Sequence, residues 1–266
     1  MIPATSLIPI HDDNPTRSFS YVTAALIVAN VLILFFEPHL GMGNSPEVQA
    51  FFYKWGLVPW EVVHSHPVAF RECLGACFPD KNVYLSILTS MFLHAGPVHL
   101  VGNMLFLWIF GNNIEDTLGR VAFIAFYLIC GVLAALAHVA LNPSSLFPTI
   151  GASGAVAGVL GAYVILFPRA KVLTGIVLIV YIQFIRLPAI VVLGLWFVFQ
   201  LFTGAFQQIG GGGVAWAAHV GGFAAGAALV FLFGGPGRVR PPPQPEPLGP
   251  FGLGGPFGRG GPFGRA

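Results

Sequence analysis

The long apolar runs are the feature that most limits what this chain can fold into. A helix crosses a bilayer with about 17–25 mostly apolar residues, and runs near that length recur along the sequence. They cover residues 19–36, 87–110, 121–141, 150–167, 188–206 and 214–233. Charged residues make up only 8% of the chain, well below the roughly one quarter typical of soluble domains. The sequence therefore predicts an all-α, polytopic membrane protein with six transmembrane helices.

One further apolar segment does not fit this count. Residues 172–185 are short for a span, and Arg169, Lys171 and Arg186 flank them. We interpret the segment as an interfacial or re-entrant excursion, or as the first part of a long fifth helix, and seven spans are an alternative. The first apolar run follows charged residues and has no small-residue cleavage site, which predicts a retained helix rather than a signal peptide.

Positive charge predicts how the helices are oriented. Of the 12 lysine and arginine residues, Lys54, Arg71 and Lys81 fall in a long outer loop at about 37–84, and the others fall inside if the N-terminus is inside. We therefore expect an N-in, C-in protein of a prokaryotic plasma (inner) membrane. The predicted parts are a cytoplasmic segment 1–18, a membrane domain 19–233 and a disordered Pro/Gly-rich tail 234–266.

Three short strings place polar residues inside the apolar runs. They span His94–Asn103, Gly151–Gly154 and Ala218–Gly222. A polar side chain in lipid costs free energy unless it has a partner, so such groups indicate function. With the N-terminus inside, the second, fourth and sixth helices all run inward, and each string lies near the start of its helix. The three strings are therefore predicted to meet in the outer third of the membrane.

The residue types in these strings suit nucleophilic catalysis. A serine hydroxyl needs a neighbouring base to take its proton, and a neutral imidazole can act as that base. We predict Ser153 as the nucleophile and His219 as the general base, in a dyad because no acidic residue lies within the predicted spans. Asn103 and His99 are four residues apart on one helical face and are candidate hydrogen-bond donors to an oxyanion.

Each of these residues also has a structural explanation. A serine in a membrane helix usually bonds to its own backbone, and His219 alone fits a structural histidine. His99 and Asn103 together fit a pair that tethers two helices. His94 faces away from His99, and we expect it to tie down the first loop. Only the combination of these residues favours catalysis.

Glycines are predicted to bring the fourth and sixth helices together. Small residues three or four positions apart let helix backbones approach closely in membranes. They are Gly154, Gly158 and Gly161 on the fourth helix and Gly222 and Gly226 on the sixth. Such a contact would set Ser153 beside His219, although packing alone would also explain several of these glycines. Gly151 and His94 complete the set of predicted supporting residues.

The strings resemble those of the rhomboid family of intramembrane serine proteases. The chain has His-x4-His-x3-Asn at 94–103, Gly-x-Ser-Gly at 151–154, and at 219–226 a histidine followed three and seven residues later by glycine. The resemblance covers roughly residues 85–230 and includes Gly111-x3-Glu115-x3-Gly119-Arg120, interpreted as a turn after the second helix. It implies a six-helix rhomboid core with Ser153 as nucleophile, His219 as base, and His99 and Asn103 at the oxyanion hole.

The resemblance also implies an activity and partners. It implies cleavage of transmembrane protein substrates near their outer end, within the lipid bilayer and without a cofactor or a metal. The net charge of +2 argues against nucleic acid as a partner. A non-proteolytic rhomboid-like factor for membrane-protein binding or quality control is the alternative, but such relatives lack the serine or the histidine. A proton-coupled transporter usually needs an intramembrane carboxylate, which the predicted spans lack.

Two features depart from the family pattern. Many members have a Trp-Arg pair shortly before the second helix, where this chain has Leu85-Ser86, and some place a tyrosine on the base, where this chain has Ala157. We therefore expect another group to hold the ring of His219. Elsewhere, Cys73 and Cys77 are interpreted as a disulfide or a pair of free thiols on the oxidising side.

Overall fold

The computed structural model describes residues 5–38, 45–68, 78–178, 181–207 and 215–239. Most of these residues are helical. The helices are α1 (Tyr21–Phe36), α2 (Pro46–Trp55), α3 (Pro59–His64), α4 (Leu85–Thr89), α5 (Pro97–Leu118), α6 (Arg120–Leu141), α7 (Ser153–Leu166), α8 (Ala189–Gln207) and α9 (Trp216–Leu232). The strands are β1 (Thr5–Asp12), β2 (Lys171–Leu178) and β3 (Tyr181–Pro188). Cys73, Cys77 and the tail from residue 240 onward lie outside the described residues.

Helix α7 is the centre of the helical bundle. It is apolar all round, and every residue from Gly154 to Tyr163 is buried, as expected for a helix enclosed on all sides. It packs against α5, α6 and α9. The first residue of this central helix is Ser153, so the fold holds the candidate nucleophile at a fixed helix end.

The predicted glycine contact joins α7 to α9. A methyl group built on Gly222 would collide with the carbonyl group of Gly154, and one on Gly226 with the carbonyl group of Gly158. A methyl group on Gly161 would likewise strike the backbone of α9. These two helix backbones touch because the residues at the crossing have no side chains.

The predicted second span, 87–110, is wrong as one continuous helix. The chain forms α4 and a short 3-10 turn, then bends by 92° before α5 begins at Pro97. Gly96 at the bend has a φ of +146°, and Pro97 has no N–H to donate, so it suits the first turn of a helix.

The far end of α5 also differs from the prediction. Helix α5 continues to Leu118, so Gly111 to Leu118 are helical rather than a turn, and Gly119, with a φ of +84°, makes the junction to α6. Glu115, predicted to lie in a turn after the second span, therefore lies in a long helix instead. Its carboxylate accepts from the backbone N–H of Val22 (3.0 Å) and Thr23 (2.8 Å). It thus caps the N-terminus of α1, which explains how the helix carries this charge.

Residues 172–178 and 181–185 lie in strands rather than in a helix, so the fold is mostly helical rather than all-α. They form most of a hairpin of β2 and β3, and β1 adds a third antiparallel strand in the order β1-β2-β3. Burial alternates along β2, where Val172 and Thr174 are buried and Lys171 is exposed, which is the period of a strand. An average hydropathy cannot separate such a strand from part of a helix.

Asp12 ties the small sheet to the bundle. Its carboxylate is buried and accepts hydrogen bonds from the hydroxyl group of Tyr163 on α7 (2.6 Å) and from the side-chain amide of Asn113 on α5 (2.8 Å). Burial raises the pKa of Asp12 above its ordinary value. Segment 1–18, predicted only as cytoplasmic, thus supplies a strand and a packing contact.

The spans are only partly evident from the helices themselves. Among the described residues, α6 alone is long and apolar enough to cross a membrane, and the bent pair of α4 and α5 adds a second if it counts as one span. Helices α1, α7 and α9 and residues 189–202 of α8 are apolar but shorter. Six spans therefore stay a prediction.

The segment before α7 is fixed by the first loop. Leu57 and Thr149 form an isolated antiparallel bridge, and the N–H of Gly151 donates to the carbonyl group of Ser90 (2.8 Å). Within the loop, Lys81 forms a buried ion pair with Glu61. These contacts hold the chain that leads into Ser153.

Candidate active site

Ser153 and His219 lie in direct hydrogen-bonding contact. The Oγ atom of Ser153, at the start of α7, is 2.7 Å from Nε2 of His219, one turn into α9. The crossing of α7 and α9 through their glycines sets this distance. The predicted proximity of the two side chains is therefore present in the structure, and it is the geometry that a serine and its general base require.

Gly151 opens the space beside the serine. Its φ of +130° is a conformation that residues with a Cβ rarely adopt. A Cβ at this position would lie 3.0 Å from the ring of His99 and 3.4 Å from Oγ of Ser153. The glycine thus lets the His99 ring come close to the serine.

Asn103 and His99 present donors to the same space. The side-chain nitrogen of Asn103 is buried and has no hydrogen-bond partner among the described residues. His99 accepts at Nδ1 from the backbone N–H of Ala95 (3.3 Å), which leaves Nε2 as the protonated nitrogen. Both donors and both members of the serine–histidine pair line one cavity of about 680 Å³.

Both polar and aromatic side chains line the cavity. Phe106, Phe147, Trp196 and Trp216 contribute aromatic rings, and His138 contributes a third imidazole. No carboxylate or basic chain of lysine or arginine lines it among the described residues. A volume of this size holds several side chains of an extended peptide.

Gln200 contacts His219, and this contact was not predicted from the sequence. Its Oε1 lies 2.8 Å from Nδ1 of His219, and both side chains are almost completely buried. The available signal was a single amide side chain inside the apolar run 188–206. It was overlooked because no motif surrounds it.

Trp196 lies one helical turn before Gln200. Its ring centroid is 5.9 Å from that of His219, at an angle of 36°. Because residues four apart share a helix face, α8 presents both groups to the imidazole. In the family pattern, a tyrosine at the position of Ala157 contacts the ring of the base. In this chain the ring of His219 is contacted from α8 instead.

The other histidines have partners of their own. His94 is fully buried 5.2 Å from the ring of His99, and its backbone N–H donates to the carboxylate of Glu37 (3.0 Å), at the start of the first loop. His138 lies 3.0 Å from the hydroxyl group of Thr149. Among the described residues, no group of three His, Cys, Asp or Glu side chains could hold a metal ion.

Comparison with known proteins identifies the family. The profile of the Rhomboid domain matches residues 81–236, which is more than half of the chain and includes every residue of the site. The chain belongs to the rhomboid family. Membership in the rhomboid family indicates a membrane protein.

Several rhomboids resemble parts of the chain. Presenilin-associated rhomboid-like protein A, mitochondrial, of Danio rerio is 37% identical over 107 residues, which are 40% of this chain and 27% of that protein. Rhomboid protease GluP of Bacillus subtilis is 38% identical over 103 residues, 36% of this chain and 20% of that protein. RHOMBOID-like protein 1 of Arabidopsis thaliana is 26% identical over 226 residues, 81% of this chain and 54% of that protein.

The chain therefore spans between 20% and 54% of the length of these three relatives. They come from a fish, a bacterium and a plant, and the fish protein is named as mitochondrial. The prokaryotic plasma membrane stays a prediction for this rhomboid.

Proposed function

We propose that this rhomboid is an intramembrane serine endopeptidase that cleaves transmembrane segments of membrane proteins near their outer end. The observation that carries the proposal is the 2.7 Å contact between Oγ of Ser153 and Nε2 of His219 at the start of a buried helix. The cavity beside this contact is also lined by two candidate donors, Asn103 and His99, which matches what an acyl-transfer reaction needs.

The chemistry follows from these atoms. Nε2 of His219 takes the proton of Ser153 as Oγ attacks the carbonyl carbon of the scissile bond. The C–N bond then breaks, and the imidazolium gives its proton to the leaving amine. Water, deprotonated by the same nitrogen, hydrolyses the acyl ester, releases a carboxylic acid and restores the serine.

The oxyanion formed in each step needs donors that are already in place. The amide nitrogen of Asn103 and Nε2 of His99 supply two, and the backbone N–H of Ser153 supplies a third at the positive end of α7. The unpartnered amide of Asn103 supports this assignment, because a buried donor without a partner costs free energy that a bound oxyanion would recover.

The exposed surface of the bundle supports a membrane setting. Large apolar side chains face outward on several helices, a surface that suits lipid better than water. They include Phe36, Val98, Val121, Phe202 and Leu232. We propose that α1, the α4–α5 pair, α6, α7, α8 and α9 are six spans in an N-in, C-in topology, which places the site toward the outer side.

The test uses the full chain in lipid vesicles with a transmembrane reporter and a fluorophosphonate probe. We expect wild type to cleave the reporter and to be labelled, and Ser153→Ala and His219→Ala to do neither while keeping their melting temperature. Ser144→Ala, at an exposed position in the loop before α7, is the matched control and should behave as wild type. Cleavage by Ser153→Ala would overturn the proposal, and an inert but folded wild type would favour a non-proteolytic rhomboid.

A further inference from the structure

We propose that Gln200, supported by Trp196, is a positioning residue for the general base: its amide oxygen fixes the tautomer and the orientation of the His219 ring. The inference rests on the proposed proteolytic function and extends it, because it assigns the third group of the machinery to α8. Among the residues that the structure describes, no acidic side chain lines the cavity to take that place.

The contacts of the imidazole carry the inference. Nε2 of His219 faces Oγ of Ser153 at 2.7 Å, and Nδ1 faces Oε1 of Gln200 at 2.8 Å. The ring of Trp196 is tilted by 36° relative to the imidazole, with the centroids 5.9 Å apart. Both nitrogens of the imidazole thus have a partner, one on α7 and one on α8.

The amide oxygen determines which nitrogen carries the proton. A carbonyl oxygen only accepts, so Nδ1 must donate to it, and Nε2 is then left with the lone pair that removes the proton of Ser153. The opposite tautomer would point an N–H at the serine and could not act as base. Gln200 therefore selects the reactive form of His219.

A neutral partner suits this environment. A carboxylate in the same place would be a buried charge, and among the described residues no lysine or arginine lines the cavity to pair with it. Burying such a charge costs free energy. The amide orients the ring without that cost, but it gives the imidazolium less stabilisation than a carboxylate would.

Burial argues against a purely apolar packing role for this residue. Gln200 is 8% exposed and sits in an apolar helix. An amide at such a position destabilises the helix bundle unless it is hydrogen-bonded. Its amide oxygen has the side chain of the candidate base, on the neighbouring helix, as a partner.

Kinetics of variants of the full chain in vesicles test the inference. Gln200→Met keeps the length of the side chain and removes the acceptor, so kcat should fall on the order of 10–100-fold with KM unchanged. Loss of all general-base catalysis, about 10²–10⁴-fold, is the upper limit. Gln183→Met is the matched control, because Gln183 is exposed on β3 and should keep wild-type kinetics.

Gln200→Glu adds a measurement, the pH–rate profile, that should not change if Gln200 only fills space. It restores an acceptor, so it should recover most of the activity lost in Gln200→Met. Its charge should favour the imidazolium and shift the acid limb of the pH–rate profile upward. His99 on α5 and His138 on α6 line the same cavity, so the shift is measured against His138→Gln in both backgrounds.

Nitrogen NMR of the wild-type imidazoles gives a result that does not depend on any variant. We expect His219 to carry its proton on Nδ1. A proton on Nε2 would overturn the inference, as would wild-type kcat and pH profile in Gln200→Met. If wild type shows no cleavage that depends on Ser153, the proposed function is overturned instead. The tautomer of His219 would then still decide whether Gln200 fixes the ring.

Discussion

The amide of Asn103 shows what a single residue can reveal about a site. Its nitrogen is buried without a partner among the described residues, and an unsatisfied buried donor costs about 1–3 kcal/mol. Such a cost is expected in the wall of a catalytic cavity, because the acceptor there would be the oxyanion, which is present only during the reaction.

Asn103→Ala should therefore separate activity from stability. We expect kcat to fall about 10²–10³-fold, the typical loss of one oxyanion donor, while the melting temperature stays the same or rises. Steady-state kinetics and thermal melting of the same preparation measure both. Wild-type kcat in the variant would make Asn103 a tether rather than a donor.

Glu37 gives a prediction about pH. Its buried carboxylate has a pKa raised to about 7, because burial disfavours the charged form more than the bond from the His94 N–H favours it. The folded pKa lies above the unfolded one, so the contribution of Glu37 is present at low pH and is lost as the pH rises through 7.

The melting temperature of wild type should accordingly fall between about pH 4.5 and about pH 7 and level off above it, and Glu37→Gln should flatten that part of the profile. Asp12 has a pKa shifted in the same direction, so Asp12→Asn is measured in parallel to separate the two groups. An unchanged slope in Glu37→Gln would show that Glu37 does not titrate in this range.

At the scale of helices, the crossing of α7 and α9 positions the serine–histidine pair. A methyl group on Gly222 would strike the carbonyl group of Gly154, and backbone atoms cannot rotate away as a side chain can. Gly222→Ala should therefore cost about 1–3 kcal/mol of stability and reduce fluorophosphonate labelling of Ser153, because the helices must separate.

Gly194→Ala on α8 is the matched control. A Cβ at Gly194 meets nothing within 4 Å, so alanine should be neutral or stabilising by up to about 1 kcal/mol. Thermal melting and the labelling rate distinguish the two variants. Equal behaviour of Gly222→Ala and Gly194→Ala would show that the crossing is loose.

The helices and strands also show which parts of the fold could be predicted from the sequence. The spacing of Gly154, Gly158, Gly222 and Gly226 predicted the helix contact because close packing in lipid requires small residues at helical intervals. The hairpin at 171–188 was missed because a window of average hydropathy does not register alternation. Gln200 was missed because its role comes from a helix crossing, and nothing next to it in sequence signals that crossing.

At the scale of the whole molecule, the proposed cleavage requires a substrate to bring an extended peptide bond to Ser153. A helical bond is shielded by its own turn, so the substrate has to unwind near its outer end first. Glycine and proline lower that cost by about 1 and 3 kcal/mol relative to alanine on soluble-helix scales.

We therefore expect faster cleavage of reporters that carry such residues near the outer face, with small residues beside the cut. Moving the glycine or proline stepwise along the reporter and mapping the products by mass spectrometry measures this preference. A cut at the cytoplasmic end, or rates that ignore the position of these residues, would contradict the topology or the mechanism.

The bond between Asp12 and Tyr163 has a consequence for how the protein is made. These residues are 151 positions apart, and β1 can pair only after β2 has been synthesised. At about 5–20 residues per second, the strand has to wait on the order of ten seconds or more beside the ribosome. Throughout that time its unpaired edge is open to other chains, so the interval before pairing is when this protein is most exposed to misassembly.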